Sequence, residues 1–543
     1  MFSCRERNPR ARIPLSRRSL KAAASRPHGD AGQRRDDTSV IAARSHGGNR
    51  FGVPWEALAV ALVLLAALLV RLPGLNDPSV EQRENQSSLI ARGYYLAGRD
   101  DIPAWQRRVL DQVDTVLKPY EPPLLELASA TFDRATGAER IWFPRLLSTL
   151  AWLAGAVCLA FLARRLMNIA GMLTAVGLYV AWPYAFWQSR KFMPDSLLAA
   201  CILAATLAIV RYWERPSRGR FAAAASAAAI ATLIKPGVGL FFVVAVFVAL
   251  ALAHGRLRDE LASGRLVVFV GAAASLAVAY FLLGKTTSFT HPDAGSGRLL
   301  PEYVVERGFW SGWWDMVSFL LRSPQRQEVL ALVPLGLGII GLALVPRGAP
   351  RAVLWGLAAG YLAFALAFAR YTSTHPYYAL MLIPILSLAI GVVVGRLWDG
   401  LARSTPARVA VGLAIMAVIA GGTYKAYAAT SGPSVAPARI ADYRRIGELT
   451  DHTTRAIIVN PSLGHPVMYW GWVVGQEWDL GQPTLPSGID PSKKDYLIVV
   501  DNSSFEASPA SPALRVLARG GRIVERTDDF TVVALHEPPA PDA

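Results

Sequence analysis

The chain has little cysteine and little charge. Among its 543 residues there are three cysteines, and only 18% of positions are charged. Cys4 lies in a basic N-terminal tail, while Cys158 and Cys201 lie inside apolar runs. None is placed to form a structural disulfide or a metal site. Also missing are a glycine-rich phosphate loop, Cys/His metal spacing, heptads and solenoid repeats. What is abundant is apolar sequence. With 53% hydrophobic residues and a mean hydropathy of +0.31, the chain is too apolar for an ordinary soluble enzyme and reads as an α-helical polytopic membrane protein.

The net charge of +16 does not point to nucleic acid. Twelve basic residues crowd into the first fifty positions, and much of the remainder lies in short loops between apolar spans, as the positive-inside rule produces. Residues 1–50 show no hydrophobic periodicity and read as a disordered, basic cytoplasmic tail. Their charged stretch is too long for a signal peptide, and no small-residue cleavage pattern follows the first apolar run.

About eleven apolar runs follow, each near the ~20 residues that cross a hydrocarbon core as a helix. They cover approximately 53–72, 145–163, 167–187, 195–213, 221–235, 238–254, 266–284, 328–346, 352–369, 376–395 and 409–429. If they alternate, every basic loop falls on the cytoplasmic side. The other side then receives 71–144, 188–194, 285–327, 370–375 and everything after Thr430. This divides the chain into the tail, a membrane domain over 51–430 and a small extracytoplasmic α/β domain over 431–543. In the last, Ala456–Val459 and Tyr496–Val500 read as buried strands, Arg439–Thr450 and Pro512–Arg519 as helices, and Arg522–Arg526 with Thr531–Leu535 as a strand pair.

Polar groups gather on the extracytoplasmic side. The first loop holds Glu81, Arg83, Glu84, Gln86, Asp111, Asp114, Lys118, Tyr120 and Glu121. Elsewhere on that side are Arg190, Lys191, Asp195, Lys235, Lys285, His291, Asp293, His375, Tyr377 and Tyr378. Singly, each has a plain explanation in snorkelling, interfacial aromatics or solvation. Together they suit group transfer from a lipid-linked phosphate. A carboxylate takes the proton of an acceptor hydroxyl, and cations stabilise the departing phosphate.

Seven passages also carry a family likeness. They are RLPGL (Arg71–Leu75), RENQSSLIARGYY (Arg83–Tyr95), YEPPLLEL (Tyr120–Leu127), PRLLS (Pro144–Ser148), SRKFMPDSLL (Ser189–Leu198), ATLIKPG (Ala231–Gly237) and HPYYALMLIP (His375–Pro384). In this order, over roughly residues 53–400, the chain resembles the GT-C class of membrane glycosyltransferases. The likeness is to bacterial relatives of the dolichyl-phosphate-mannose-protein mannosyltransferases and of the lipid A aminoarabinose transferase. The resemblance implies an inverting sugar transfer from a polyprenyl-phosphate donor to a hydroxyl of a glycan, lipid or protein. It places the reaction at the outer face of a bacterial plasma membrane, with the C-terminal domain helping to bind the acceptor.

In that family an acidic first-loop residue is the base, often in an Asp-Glu pair, which this sequence lacks. Glu84 is the first choice, Glu81 the second, and Glu121 a partner from the far end of the loop. Gln86 stands where some relatives carry Asp. By the same likeness Arg190, Lys191, Lys235 and His375 contact the donor phosphate. Asp195 orients its basic neighbours, and Arg83, Tyr377 and Tyr378 support them. No ligand spacing demands a metal, though room is left for Mg²⁺ or Mn²⁺. A transporter or flippase is the alternative from another class, and a GT-C fold without catalysis is a third. One-sided ionisable groups and the lack of internal repeats count against the transporter.

Overall fold

The computed structural model describes residues 55–291, 299–321, 329–430, 436–460, 464–502, 504 and 508–536. The expected tail at 1–50 and Asp293 lie outside the described residues. Among the described residues, each of the eleven apolar runs is mostly helical. In chain order the helices are α1 (Trp55–Leu69), α2 (Gln82–Leu96), α3 (Ala104–Val116), α4 (Leu124–Thr136), α5 (Trp142–Leu166), α6 (Ile169–Ala181), α7 (Pro183–Gln188), α8 (Asp195–Glu214), α9 (Arg218–Ile234) and α10 (Val238–Ala253). Next come α11 (Leu257–Ala262), α12 (Arg265–Thr287), α13 (Arg307–Leu321), α14 (Val329–Leu344), α15 (Ala349–Ala367), α16 (Ala369–Thr372), α17 (Leu382–Gly400) and α18 (Thr405–Thr430). Among the described residues, six helical segments are long and apolar enough to cross a membrane: α5, α8, α12, α15, Pro376–Gly400 and α18. The helices α1, α6, α10 and α14 are apolar but shorter.

Local chemistry sets the breaks. The third run splits at Pro183, which lacks the amide hydrogen a continuing helix needs, so α6 ends and α7 begins with proline at its first turn. Between α9 and α10, Lys235-Pro236-Gly237 turns the chain, with Gly237 at φ +91°. A Cβ there would come within 2.6 Å of Phe368 Cζ, so glycine suits both the dihedral and the space. Close helix contact uses glycine too. A Cβ on Gly171 of α6 would meet the Gly391 carbonyl of α17 at 2.4 Å, the small-residue approach typical of membrane bundles.

The bundle has two chemically different ends. Where α5 finishes, Arg164 pairs with Glu56, Arg165 with Glu214, and Asn168 bonds Asp399. Where α5 starts, α2, α3 and α4 of the first loop lie over the bundle. Arg71, 1% exposed, ties this end together by donating to Ser189 Oγ, Ala67 O and Val180 O.

The C-terminal region comprises α19 (Ala436–Leu449), β1 (Ala456–Asn460), α20 (His465–Gly471), β2 (Gly475–Asp479), β3 (Tyr496–Val500), α21 (Ser511–Ala518), β4 (Arg522–Arg526) and β5 (Phe530–Ala534). The sheet order is β2-β1-β3-β5-β4. β1 is parallel to β2 and β3, while β5 is antiparallel to β3 and β4. The expected strands at Ala456, Tyr496, Arg522 and Thr531 are present, and β2 is an addition. β1 sends Ala456 and Ile458 to one core and Ile457 and Val459 to the other, which is why its sequence is continuously apolar.

The first of those two cores is shared. Leu89 of α2 and Val109 and Val113 of α3 are buried with Tyr443, Ile458, Val467 and Phe530. Arg92 fastens the contact. Its guanidinium bonds both Glu139 oxygens at 2.8 and 3.1 Å and the Tyr469 carbonyl at 2.7 Å, between the rings of Tyr469 and Trp472. Tyr469 also donates its hydroxyl to Glu139 at 2.8 Å. Arg92→Ala is expected to destabilise the protein by about 3 kcal/mol, read as a lowered Tm in detergent, because it unpairs a carboxylate and empties a stacked slot.

Candidate active site

Helix α2 explains why the first loop is not simply solvated. Along it Glu84, Asn85, Gln86, Ser87 and Arg92 are all buried, since one side faces the bundle and another faces the C-terminal region. Glu84 turns toward α5. Its Oε1 accepts from Arg145 Nε at 2.7 Å and from the Phe192 amide at 3.0 Å, while Arg145 also bonds the carbonyls of Leu75 and Asp77. Burial by itself would raise the Glu84 carboxyl. Arg145, Lys191 and those two hydrogen bonds overcome it and hold the group at about 2.

Glu81 and Arg83 turn the other way, into a cavity of about 980 Å³. Three walls enclose it. The first-loop wall carries Glu81, Arg83, Gln86, Lys118, Tyr120 and Glu121. The bundle wall carries Tyr184, Trp187, Gln188, Tyr371, His375, Tyr377 and Tyr378. The C-terminal wall carries Arg439, Tyr443, Asn460, His465, Gln476 and Glu477. Arg83 donates to Glu121 at 2.7 Å and to Gln86 at 2.5 Å, so the two ends of the first loop meet on one guanidinium. Burial lowers the Arg83 proton affinity, but Glu121 more than offsets this and holds it above the ordinary value. Glu81 lies 2.5 Å from Lys191 Nζ; burial raises its carboxyl more than Lys191 lowers it.

Beside this cavity lies a smaller, mostly apolar pocket of about 240 Å³, lined by Val238, Leu240, Phe241, Phe281, Leu299 and Phe368 with Lys235. Tyr120, Glu121 and Tyr378 border both spaces. Lys235, left at the end of α9 by the Pro-Gly break, bonds Asp195 at 3.0 Å and sits 4.8 and 4.4 Å from the ring centres of Tyr377 and Tyr378. Both partners of this pair are almost wholly buried.

Of the residues given a role by the family likeness, Glu81, Arg83, Gln86, Glu121, Lys235, His375, Tyr377 and Tyr378 converge on the two spaces, with Asp195 behind Lys235. Lys118, Tyr120 and His291 also line the large cavity, whereas Asp111, Asp114 and Lys285 line neither space. Three residues given a role are turned away from both. Glu84 is enclosed by Arg145 and Phe192. Arg190 donates to the Pro73 carbonyl at the exit of α1. Lys191 pairs with Glu81 and packs on the Trp187 ring at 3.9 Å. Among the described residues no group of three or more His, Cys, Asp or Glu side chains is arranged to hold a metal ion. The C-terminal wall was absent from the sequence-derived candidates. Its polar residues sit at strand ends and on β2, where no spacing pattern marks them.

The fold has known counterparts. Residues 120–283 match the sequence model of the dolichyl-phosphate-mannose-protein mannosyltransferase family. The structure resembles ArnT from Cupriavidus metallidurans in the apo state, with TM-score 0.55 and 16% identity over 89% of this chain and 99% of that one. It also resembles the same protein bound to undecaprenyl phosphate, with TM-score 0.56 and 16% identity over 88% and 98%. The chain has the GT-C fold. A further GT-C structure, the apo oligosaccharyltransferase of Archaeoglobus fulgidus, aligns with TM-score 0.51 and 12% identity over 86% of this chain and 73% of that one. No curated protein sequence matches the chain. The likeness read from the seven motifs is therefore borne out at the level of fold, and the first-loop helices over one end of the GT-C bundle are where the polar cavity lies.

Proposed function

We propose that the chain is an inverting glycosyltransferase of a bacterial plasma membrane. It would move a sugar from a polyprenyl-phosphate donor to an acceptor hydroxyl at the outer face, with eleven spans and the C-terminal region outside the cytoplasm. The observation that carries this reading is the junction of the two spaces. A mostly apolar pocket with an ammonium group and a large cavity rich in polar side chains share Tyr120, Glu121 and Tyr378 in their walls. The isoprene units nearest the phosphate would occupy the apolar pocket, with the phosphate at Lys235 and the sugar past Glu121 toward the acceptor. The undecaprenyl phosphate held by ArnT supports a donor of this class.

The acceptor oxygen attacks the anomeric carbon from the side opposite the phosphate. The bond between that carbon and the phosphate oxygen breaks, and its electron pair leaves with polyprenyl phosphate. The acceptor proton passes to a carboxylate. Glu121 is assigned this role because it borders both spaces, with Arg83 fixing its position. Glu81 is the second carboxylate of the cavity. Lys235 offsets the charge of the leaving phosphate, and the paired Asp195 holds its ammonium between the two tyrosines.

The test is consumption of a labelled polyprenyl-phosphate sugar by the purified chain with release of polyprenyl phosphate. No consumption with any hydroxyl acceptor refutes the reading. Lys235→Gln, made with Asp195→Asn so that no buried carboxylate is stranded, is expected to raise donor KM about 10- to 100-fold, matching ~1.5–3 kcal/mol for a charge-assisted hydrogen bond. An unchanged donor KM removes Lys235 from the phosphate site.

A further inference from the structure

The C-terminal wall has chemistry of its own. Asn460 ends β1, His465 opens α20, and Gln476 and Glu477 lie side by side on β2, all lining the large cavity. Resting on the transfer reading above, we infer that this wall is the acceptor subsite and that the acceptor it takes is an uncharged, hydroxyl-rich carbohydrate.

Position is the first argument. The wall lines the same cavity as the Arg83–Glu121 pair. An acceptor held there presents its hydroxyl to the Glu121 carboxylate from the large cavity, since among the described residues none of the lining of the donor pocket comes from this wall.

Hydrogen-bonding capacity is the second. Two amides, an imidazole and a carboxylate alternate donors and acceptors, the complement of neighbouring hydroxyls, each of which both donates and accepts. These groups are held in place before any ligand arrives. Glu477 accepts the Gly464 amide at 2.7 Å and lies 3.8 Å from His465 Nε2, while Gln476 donates to the Gly488 carbonyl at 3.3 Å. Groups fixed in this way lose little freedom on binding.

Charge is the third. Among the described residues Arg439 is the one cation this wall contributes, and Glu477 gives the wall one charge of the opposite sign. Burial, helped by Arg83, brings the His465 imidazole down to about 4, so it is neutral at physiological pH. Burial keeps the Glu477 carboxyl above its ordinary range. A phosphorylated or uronic acceptor would meet the Glu477 carboxylate, and the like-charge contact would disfavour it.

The experiment applies the full-length chain in detergent to an array of neutral oligosaccharides, phosphorylated and uronic glycans, and serine- and threonine-containing peptides. Neutral glycans are expected to be retained by the wild type and weakened at least tenfold by Glu477→Gln and by Asn460→Ala. Glu477→Gln keeps an oxygen for the Gly464 amide, and both proteins are checked against the wild-type Tm. If Glu477→Gln is misfolded, Asn460→Ala alone decides. Retention of anionic glycans or peptides instead of neutral ones, retention of nothing, or undiminished retention by the folded variants overturns the proposal. Donor consumption is scored separately. Glycan retention through these residues without donor consumption removes the transferase reading and keeps the subsite, whereas donor consumption with undiminished retention removes only the subsite.

Discussion

Glu121→Gln is expected to lower sugar transfer roughly 1,000-fold with donor KM little changed, within the ~10²–10⁴-fold range for removing a positioned general base. The substitution is close to isosteric, and the amide oxygen can still accept from Arg83, so the first loop keeps its closure while losing its proton acceptor. Glu81→Gln, which leaves the junction of the two spaces intact, is expected to retain most turnover. Both are measured as initial rates with a labelled polyprenyl-phosphate sugar. An active Glu121→Gln beside an inactive Glu81→Gln would move the base across the cavity to Glu81, and two active variants would remove the carboxylate mechanism.

Glu84→Ala is expected to fail differently, in folding and not in chemistry. It leaves Arg145, itself 7% exposed, without its counter-charge and the Phe192 amide without an acceptor. Breaking a buried pair from one side costs about 3–5 kcal/mol. The variant should show a large drop in Tm and poor recovery from the membrane, whereas Glu84→Gln, which keeps a hydrogen-bond acceptor, should be milder. The pH dependence has a definite sign. The folded Glu84 carboxyl is held at about 2, below the ordinary 4.5, so its contribution is complete above about 4.5 and disappears as pH falls through about 2. Thermal melts from pH 6 downward should decline in the wild type and show less of that decline in Glu84→Ala. A wild-type Tm in Glu84→Ala would refute the structural role.

The contrast between Glu84 and Glu121 shows what the sequence could and could not convey. Both were candidates by chemistry and by the family likeness. Which one faces the cavity depends on Arg145, sixty-one positions from Glu84, and on Arg83, thirty-eight from Glu121. Charge pattern within a loop does not reveal such partners. The Lys235 break was readable because proline and glycine act locally. The strands AIIV and YLIVV were readable because both faces are covered and the run is continuously apolar. β2, with sequence GQEWD, was not: it borders only β1 and has no β-branched run. Asn460, His465, Gln476 and Glu477 escaped notice for the same reason, as the sheet alone brings them to the cavity. Polar residues at the carboxyl end of a parallel strand, such as Asn460, were the available hint.

The core shared by Leu89, Val109 and Val113 with the last hundred residues affects how the molecule is made. A ribosome delivers α2 and α3 long before α19 and the five strands exist, so the early helices wait with an apolar face uncovered until the chain is finished. Pairing across more than three hundred positions is slow and entropically demanding. Arg92 reaches Tyr469 only at that stage. A nascent or truncated chain would therefore have the bundle without the third wall, and its first loop would be a target for chaperones and proteases. Closing the cavity would be the last event of biosynthesis, so the site would form only on a completed polypeptide.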